Sequence, residues 1–151
     1  MANIREEFSL LQRECFACGS AGAAYLLLQP ADEHDLEGVE EEAKFLAAFE
    51  EKEKLANRGL LVAVRVNDWM RELAPWEAPQ PSGNSLFGDG APAFLEKLLL
   101  LIPALRARYD LPEDCPVLLG GYSLAGFFSL WASYRTDAFT AVAAASGFRA
   151  S

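Results

Sequence analysis

Histidine is almost absent from this chain, since His34 is the only one among its 151 residues. A site built from several imidazoles, such as a zinc centre, is therefore not indicated, and we expect neither a resident metal nor a cofactor. Cysteine is also scarce, and an odd set of three (Cys15, Cys18 and Cys115) favours reduced thiols over a disulfide framework. No apolar run reaches the roughly 18 residues of a membrane-spanning helix, so we expect no membrane partner.

Basic residues are outnumbered, with 13 lysines and arginines against 22 acidic residues and a net charge of −9. Ten of the acidic residues lie between Asp32 and Lys54, where a solvated helix face explains them. A nucleic-acid partner is not expected, because binding it requires a basic surface. Met1 to Leu11 carries Arg5, Glu6 and Glu7 where a signal peptide would be apolar, so a cytoplasmic location is expected.

Strand-like and helix-like segments alternate along the chain. Hydrophobic periodicity and turn residues predict strands at 23–29 (stopped by Pro30), 60–66, 116–120 and 139–145, and helices at 36–56, 91–109 and 124–134. A long loop is predicted at 67–90, and one or two antiparallel strands before residue 20. The alternation predicts an α/β fold, a three-layer α/β/α sandwich with a mainly parallel sheet, as a single domain over residues 1–151.

The most informative segment is the junction between the third predicted strand and the helix that follows it. It has the pattern G-x-S-x-G with alanine in the last position, and Ser123 stands at the corner. The positions two before and two after the serine, Gly121 and Ala125, must be small because they come close together, and Gly126 adds further room. Such a turn places a serine hydroxyl above the carboxyl ends of the strands and directs the Leu124 N–H toward a developing oxyanion. The alternative interpretation is that Ser123 only caps the helix.

The chain resembles the esterase branch of the α/β hydrolases, the group that includes enterochelin-esterase-like and esterase-D-like proteins. Three segments carry the resemblance: Gly120–Gly126 with Phe128 and Trp131; Asp68–Trp76 followed by Phe87–Gly90 and Leu101–Pro103; and Leu28–Asp35. The resemblance implies that Ser123 is the acyl-accepting nucleophile. It also implies that a backbone N–H of Ala31 or Asp32 joins that of Leu124 in the oxyanion hole, and that Tyr122, Trp69 and Trp76 line the substrate pocket.

The chain departs from the hydrolase pattern after the serine. The triad order is serine, then an acidic residue, then histidine, whereas Asp137 follows Ser123 here and no histidine does. The sequence therefore resembles a partial α/β-hydrolase fold that lacks the C-terminal part. His34 lies before the serine, and three roles stay open for it. It is a loop or helix-cap residue, a base outside the usual order, or a metal ligand together with Asp32 and Asp35.

Two main functions follow as hypotheses. The first is a serine esterase that acts on small-molecule carboxylic esters through an acyl-enzyme, or an N-terminal fragment of one. The second is an inactive, hydrolase-like binding module that self-associates through its incomplete sheet. A third and weaker hypothesis assigns thiol redox chemistry to the C-x-x-C pair of Cys15 and Cys18.

Overall fold

The computed structural model describes residues 3–20, 22–31, 59–74, 77–79, 86–88, 90–122 and 124–145. The strands are β1 (Asn3–Leu10), β2 (Arg13–Ser20), β3 (Tyr25–Ala31), β4 (Gly59–Arg65), β5 (Glu77–Pro79), β6 (Leu86–Gly88), β7 (Val117–Tyr122) and β8 (Ala141–Ala145). The helices are α1 (Trp69–Glu72), α2 (Ala91–Arg108) and α3 (Leu124–Ser133).

A six-stranded sheet in the order β1-β2-β4-β3-β7-β8 organises the described chain. The pairs β4–β3, β3–β7 and β7–β8 are parallel. The pairs β1–β2 and β2–β4 are antiparallel, which confirms the antiparallel strands expected before residue 20. The predicted α/β class with a mainly parallel sheet is confirmed.

The central strands are apolar throughout because both faces of the sheet are covered. β4 is buried from Gly59 to Val64, and the side chains of β3 alternate between two clusters. Helices α2 and α3 pack on the face that carries Leu26, Leu28 and Leu119. The opposite face carries a second buried cluster with Phe16, Leu61 and Ala63. The helix predicted at 36–56 lies outside the described residues.

Helix α2 begins and ends close to its predicted limits. Its buried residues recur at three- and four-residue steps, and they include Phe94, Leu98, Ile102 and Leu105. Proline stands at the start of the helix, where its missing N–H costs nothing, and again at Pro103, where the side chain is exposed. The packing of the leucine face outweighs the lost hydrogen bond, so the helix continues to Arg108.

The prediction that Pro30 ends the first parallel strand is wrong. β3 continues through Pro30 to Ala31, with Pro30 opposite Val64 of β4. The reason lies in the direction of its missing N–H. The Leu26 N–H points toward β7 and donates to the carbonyl of Pro116, just before that strand, at 2.9 Å. Pro30 lies an even number of residues after Leu26, so the N–H that it lacks would point to the same side. The β3–β7 ladder ends at Leu28, so no carbonyl of β7 loses a partner at Pro30.

The stretch predicted as one long loop at 67–90 contains regular structure. It holds the single-turn helix α1 and a small antiparallel sheet of β5 and β6. Helix α1 escapes a periodicity search because it is only four residues long. Its start is marked by Asp68, whose side chain accepts a hydrogen bond from the Arg71 N–H at 3.3 Å.

Candidate active site

The candidate site lies where β7 gives way to α3. β7 ends at Tyr122 and α3 begins at Leu124, so a single residue, Ser123, separates strand from helix. Ser123 itself lies outside the described residues. Its neighbours on both sides are described, and they define how strand and helix meet.

Gly121 and Ala125 come into close contact across this junction. A Cβ placed on Gly121 would lie 2.7 Å from the Ala125 Cβ and 2.9 Å from the Ala125 carbonyl carbon. Real Cβ atoms do not approach other atoms so closely, so only glycine fits at position 121 without a shift. Ala125 and Gly126 are both buried, which leaves room for small side chains only.

Helix α3 is held firmly against the sheet. Phe128 is fully buried, and its ring centroid lies 5.3 Å from that of Phe94 in α2 and 5.8 Å from that of Trp131. The helix also contacts β7, β8 and β3. The N-terminus of α3, with the half-buried Leu124 as its first residue, is therefore fixed at the end of β7. Helix N-termini offer unpaired N–H groups and a favourable dipole to an anion.

The sheet forks beside this junction. β3 and β7 pair only over Leu26–Leu28 and Val117–Leu119, whereas β7 pairs with β8 as far as Tyr122. The chain leaves β3 toward β4 on one side and returns at β7 on the other, so the fork coincides with the topological switch point. In open α/β sheets, ligands bind outside the carboxyl ends of the strands at this point.

Ala31 belongs to the hydrogen-bond ladder between β3 and β4. Its carbonyl accepts a hydrogen bond from the Val66 N–H at 2.8 Å, and Ala31 pairs with Arg65. Because the N–H and C=O of one extended residue point to the same side, the Ala31 N–H also points toward β4. Of the two residues considered for the oxyanion hole, this disfavours Ala31. The other, Asp32, lies outside the described residues.

Trp69 stands at the same edge of the sheet as Leu124. It opens α1, which follows β4, and the carboxyl ends of parallel β4 and β7 share one edge. Trp69 is half-buried and packs against the main core cluster. Trp76, His34 and the side chain of Tyr122 lie outside the described residues.

Solved structures with the same architecture include a siderophore hydrolase and a serine hydrolase. The siderophore hydrolase EstA from Aspergillus nidulans superposes with a TM-score of 0.70 at 13% identity, over 93% of this chain and 56% of that protein. The BES protein from Bacillus cereus gives a TM-score of 0.66 at 17% identity, over 93% of this chain and 61% of that protein. An IroE-like serine hydrolase from Shewanella oneidensis gives 0.65 at 18% identity, over 93% and 49%.

The described chain shares the fold of these solved structures, as the resemblance to the α/β hydrolases implies, and it spans about half of their length. No protein-family profile and no curated protein sequence matches the chain.

Sequence reasoning missed two charged residues near the carboxyl end of β4. Arg13 of β2 forms a bidentate ion pair with Glu72 of α1, with a nitrogen–oxygen distance of 2.9 Å for the shorter contact. The spacing of Asp68 and Glu72 is a local capping signal that points to Glu72. No local signal points to Arg13, because its partner lies 59 residues away.

The thiol redox hypothesis is wrong, because Cys15 and Cys18 lie on opposite faces of β2. Cys15 belongs to the main core cluster, and Cys18 packs against the second cluster. Side chains three apart on a strand point away from each other, so the two sulfurs do not meet. Burial also raises the pKa of the Cys15 thiol to about 11, which suppresses the reactive thiolate.

The described part of the chain lacks a membrane-spanning helix and a cluster of metal-binding side chains. No described helix has both the length and the apolar character that crossing a bilayer requires. Within the same residues, no group of three or more histidine, cysteine, aspartate or glutamate side chains could hold a metal ion.

Proposed function

We propose that this chain carries the nucleophile of a carboxylic-ester hydrolase and that Ser123 is the attacking residue. The observation that carries the proposal is the contact of Gly121 with Ala125 across a junction where a single residue separates β7 from α3. This geometry is what a strand–serine–helix turn requires if the hydroxyl is to stand clear of the sheet. The fork between β3 and β7 lies at the same edge, which is where open α/β sheets bind ligands.

The proposed reaction is acyl transfer. The Ser123 oxygen attacks the ester carbonyl carbon, the alcohol leaves, and water then releases the acid from the acyl-enzyme. The Leu124 N–H at the start of α3 and a second N–H, for which we favour Asp32, stabilise the oxyanion. One such donor is worth about 3–4 kcal/mol of barrier. Trp69, Trp76 and Tyr122 are proposed as walls of a pocket for a small-molecule ester.

A serine needs a base to become strongly nucleophilic, and no histidine follows Ser123 in this sequence. The proposal therefore concerns the position and identity of the nucleophile. The acidic residue and the histidine of a triad are not assigned to residues of this chain.

Labelling with a fluorophosphonate probe, together with p-nitrophenyl acetate turnover, tests the proposal. We expect both to be lost in Ser123→Ala and retained in Ser133→Ala. Ser133 is the matched control because it is an exposed serine of the same helix whose hydroxyl bonds the Leu130 carbonyl. Equal labelling of wild type and Ser123→Ala, or no labelling of either, would contradict the proposal for this chain.

A second candidate function is favoured by the surface of α3. The helix contains no charged residue, and its exposed side chains Phe127 and Leu130, with Tyr134 directly after the helix, are spaced three and four residues apart. Beside it, β8 is the outermost strand of the sheet among the described residues and consists of alanine and valine. An apolar edge strand next to an apolar stripe favours pairing with a second copy of this chain.

Light scattering after size-exclusion chromatography tests self-association. We expect a concentration-dependent dimer that Leu130→Glu abolishes and Leu100→Glu leaves intact. Leu100 is the matched control because it is equally exposed but lies on α2. A wild-type monomer at all concentrations would rule out this candidate.

A further inference from the structure

Arg13 is a buried cation that joins four elements of the fold. Its side chain is only 10% exposed, and it donates to both carboxylate oxygens of Glu72 at 2.9 and 3.2 Å. It also donates to the Arg65 carbonyl at the end of β4, at 3.2 Å. The guanidinium carbon lies 5.2 Å from the centre of the Phe94 ring in α2. A planar guanidinium suits this arrangement, because it can hold a carboxylate bidentately and still stack on a ring.

Glu72 also binds the backbone at the start of α1, so it connects Arg13 to this helix. Its carboxylate accepts hydrogen bonds from the Asn67 N–H at 2.6 Å and the Asp68 N–H at 3.1 Å. The Asp68 side chain in turn accepts from the Arg71 N–H. This is a capping box in which the acidic residue stands one position later than usual. Burial alone would raise the pKa of Glu72, but the hydrogen bonds from Arg13 and from the Asp68 and Asn67 N–H groups lower it overall, so Glu72 is ionised at neutral pH.

The other end of the α1 segment is held by α2. The Gly90 N–H donates to the Arg71 carbonyl at 2.8 Å, and the Ala91 N–H donates to the Ala74 carbonyl at 3.3 Å. A Cβ on Gly90 would come within 2.8 Å of the Arg71 oxygen, so this approach requires glycine. A single helical turn has no stability of its own in water, so these contacts set its place.

Trp69 is the first residue of the turn that these contacts hold. It follows β4, whose carboxyl end lies at the same edge of the sheet as that of β7. The two strands are separated by β3. A shift of α1 would therefore move an aromatic side chain at the rim of the candidate site without disturbing the β7–α3 junction.

We propose that Arg13 and Glu72 are a positioning pair, which fixes α1 and thereby holds Trp69 as a wall of the ester pocket. The role of Trp69 as a pocket wall rests on the proposed function, whereas the fixing of α1 does not. Neither residue is proposed to touch the reacting atoms. The pair should act on substrate binding and leave the reactivity of Ser123 unchanged.

Fluorine NMR of protein labelled with 5-fluorotryptophan tests the fixing of α1. The chain has three tryptophans, and each signal is assigned from its Trp→Phe variant. We expect Arg13→Met and Glu72→Gln to shift or broaden the Trp69 signal and to leave that of Trp131 in place. Arg13→Lys should restore the signal in part. A folded Arg13→Met protein with an unchanged Trp69 signal would overturn the proposal.

Arg108→Met is the matched control. Arg108 also pairs with a glutamate, Glu6, at 3.1 Å, but that pair joins β1 to the end of α2. Its loss should leave the Trp69 signal unchanged, and a matching shift would show that any lost ion pair disturbs Trp69. If Arg13→Met does not fold because the partly buried Glu72 carboxylate has lost its cationic partner, Arg13→Met with Glu72→Leu removes both charges together. The same shift of the Trp69 signal is then expected.

Steady-state kinetics with p-nitrophenyl esters tests the role in binding. We expect Arg13→Met to raise KM about tenfold, as for a loosened apolar pocket, with kcat and the rate of fluorophosphonate labelling unchanged. A fall in kcat at unchanged KM would overturn the role in binding. If the wild-type chain shows no activity, the proposed function fails on its own, while the NMR result still decides whether the pair fixes α1.

Discussion

Gly121 and Ala125 approach so closely that the glycine has no room for a side chain: its missing Cβ would lie 2.7 Å from the alanine Cβ. Two of the three nearest atoms to that Cβ position belong to the Ala125 backbone, at 2.9 and 3.0 Å. The contact is therefore a property of the turn itself and not of one flexible side chain. The nucleophile proposal depends on this turn.

We expect Gly121→Ala to destabilise the protein by about 1–3 kcal/mol, the usual cost of an added methyl group in a tight site. Urea unfolding measures the change. Adding Ala125→Gly should recover only part of the loss, because the clash with the Ala125 backbone remains. Full recovery would show that the two side chains alone make the contact.

The ion pair of Arg13 and Glu72 should make stability depend on pH. The folded pKa of Glu72 lies below its ordinary value of 4.5, so its contribution is complete above that value and is lost as the pH falls through the lowered folded pKa. We therefore expect wild type to exceed Glu72→Gln in free energy of unfolding at pH 7, and this difference to shrink below about pH 4.5. Chemical unfolding from pH 3 to 7 measures it.

Glu96→Gln is the control for removing one negative charge, since Glu96 is exposed on α2. The difference between the two variants measures what the Glu72 charge gains from Arg13 and from the Asn67 and Asp68 N–H groups together. A Glu72→Gln protein that matches Glu96→Gln at every pH would contradict the interpretation of Glu72 as a partly buried, paired carboxylate.

The cysteines should differ in reactivity. Cys15 and Cys115 are 5% and 3% exposed, and burial raises the pKa of both thiols, whereas Cys18 is partly exposed. We expect Ellman's reagent to label Cys18 first in the native protein, and the other two only on unfolding. Mass spectrometry after mild oxidation should show no Cys15–Cys18 disulfide, and finding one would contradict the β2 strand.

The turn between β1 and β2 carries backbone strain. Leu11 and Gln12 have φ values of 50° and 67°, as in a type I′ turn, for which Asn-Gly is strongly preferred. We expect Leu11→Asn with Gln12→Gly to stabilise the protein by about 1 kcal/mol, measured as a rise in the urea midpoint. Leu100→Asn, the same exchange at an exposed helical leucine, should instead lower it, because asparagine is a poorer helix former. A fall for the turn variant would exclude strain there.

The sequence predicted what depends on local pattern. The leucine face of α2 is a periodic signal, β4 is a continuous apolar run, and the small residues around Ser123 are a motif with a steric cause. Pro30 was misjudged because its effect depends on where the β3–β7 ladder ends. Arg13 was missed because its partner comes from a distant segment. Both features depend on contacts between segments distant in the sequence, so the residues next to them in the chain do not indicate them.

The narrow ladder between β3 and β7 has a consequence for how the chain folds. It joins Leu26–Leu28 to Val117–Leu119, whereas β1 and β2 are joined by a two-residue turn. Closing so long a stretch of chain costs entropy before any contact forms, so we expect the hairpin to form early and the centre of the sheet late. Until then the apolar strands on either side of the fork are exposed to other molecules. Refolding yield should therefore fall as protein concentration rises.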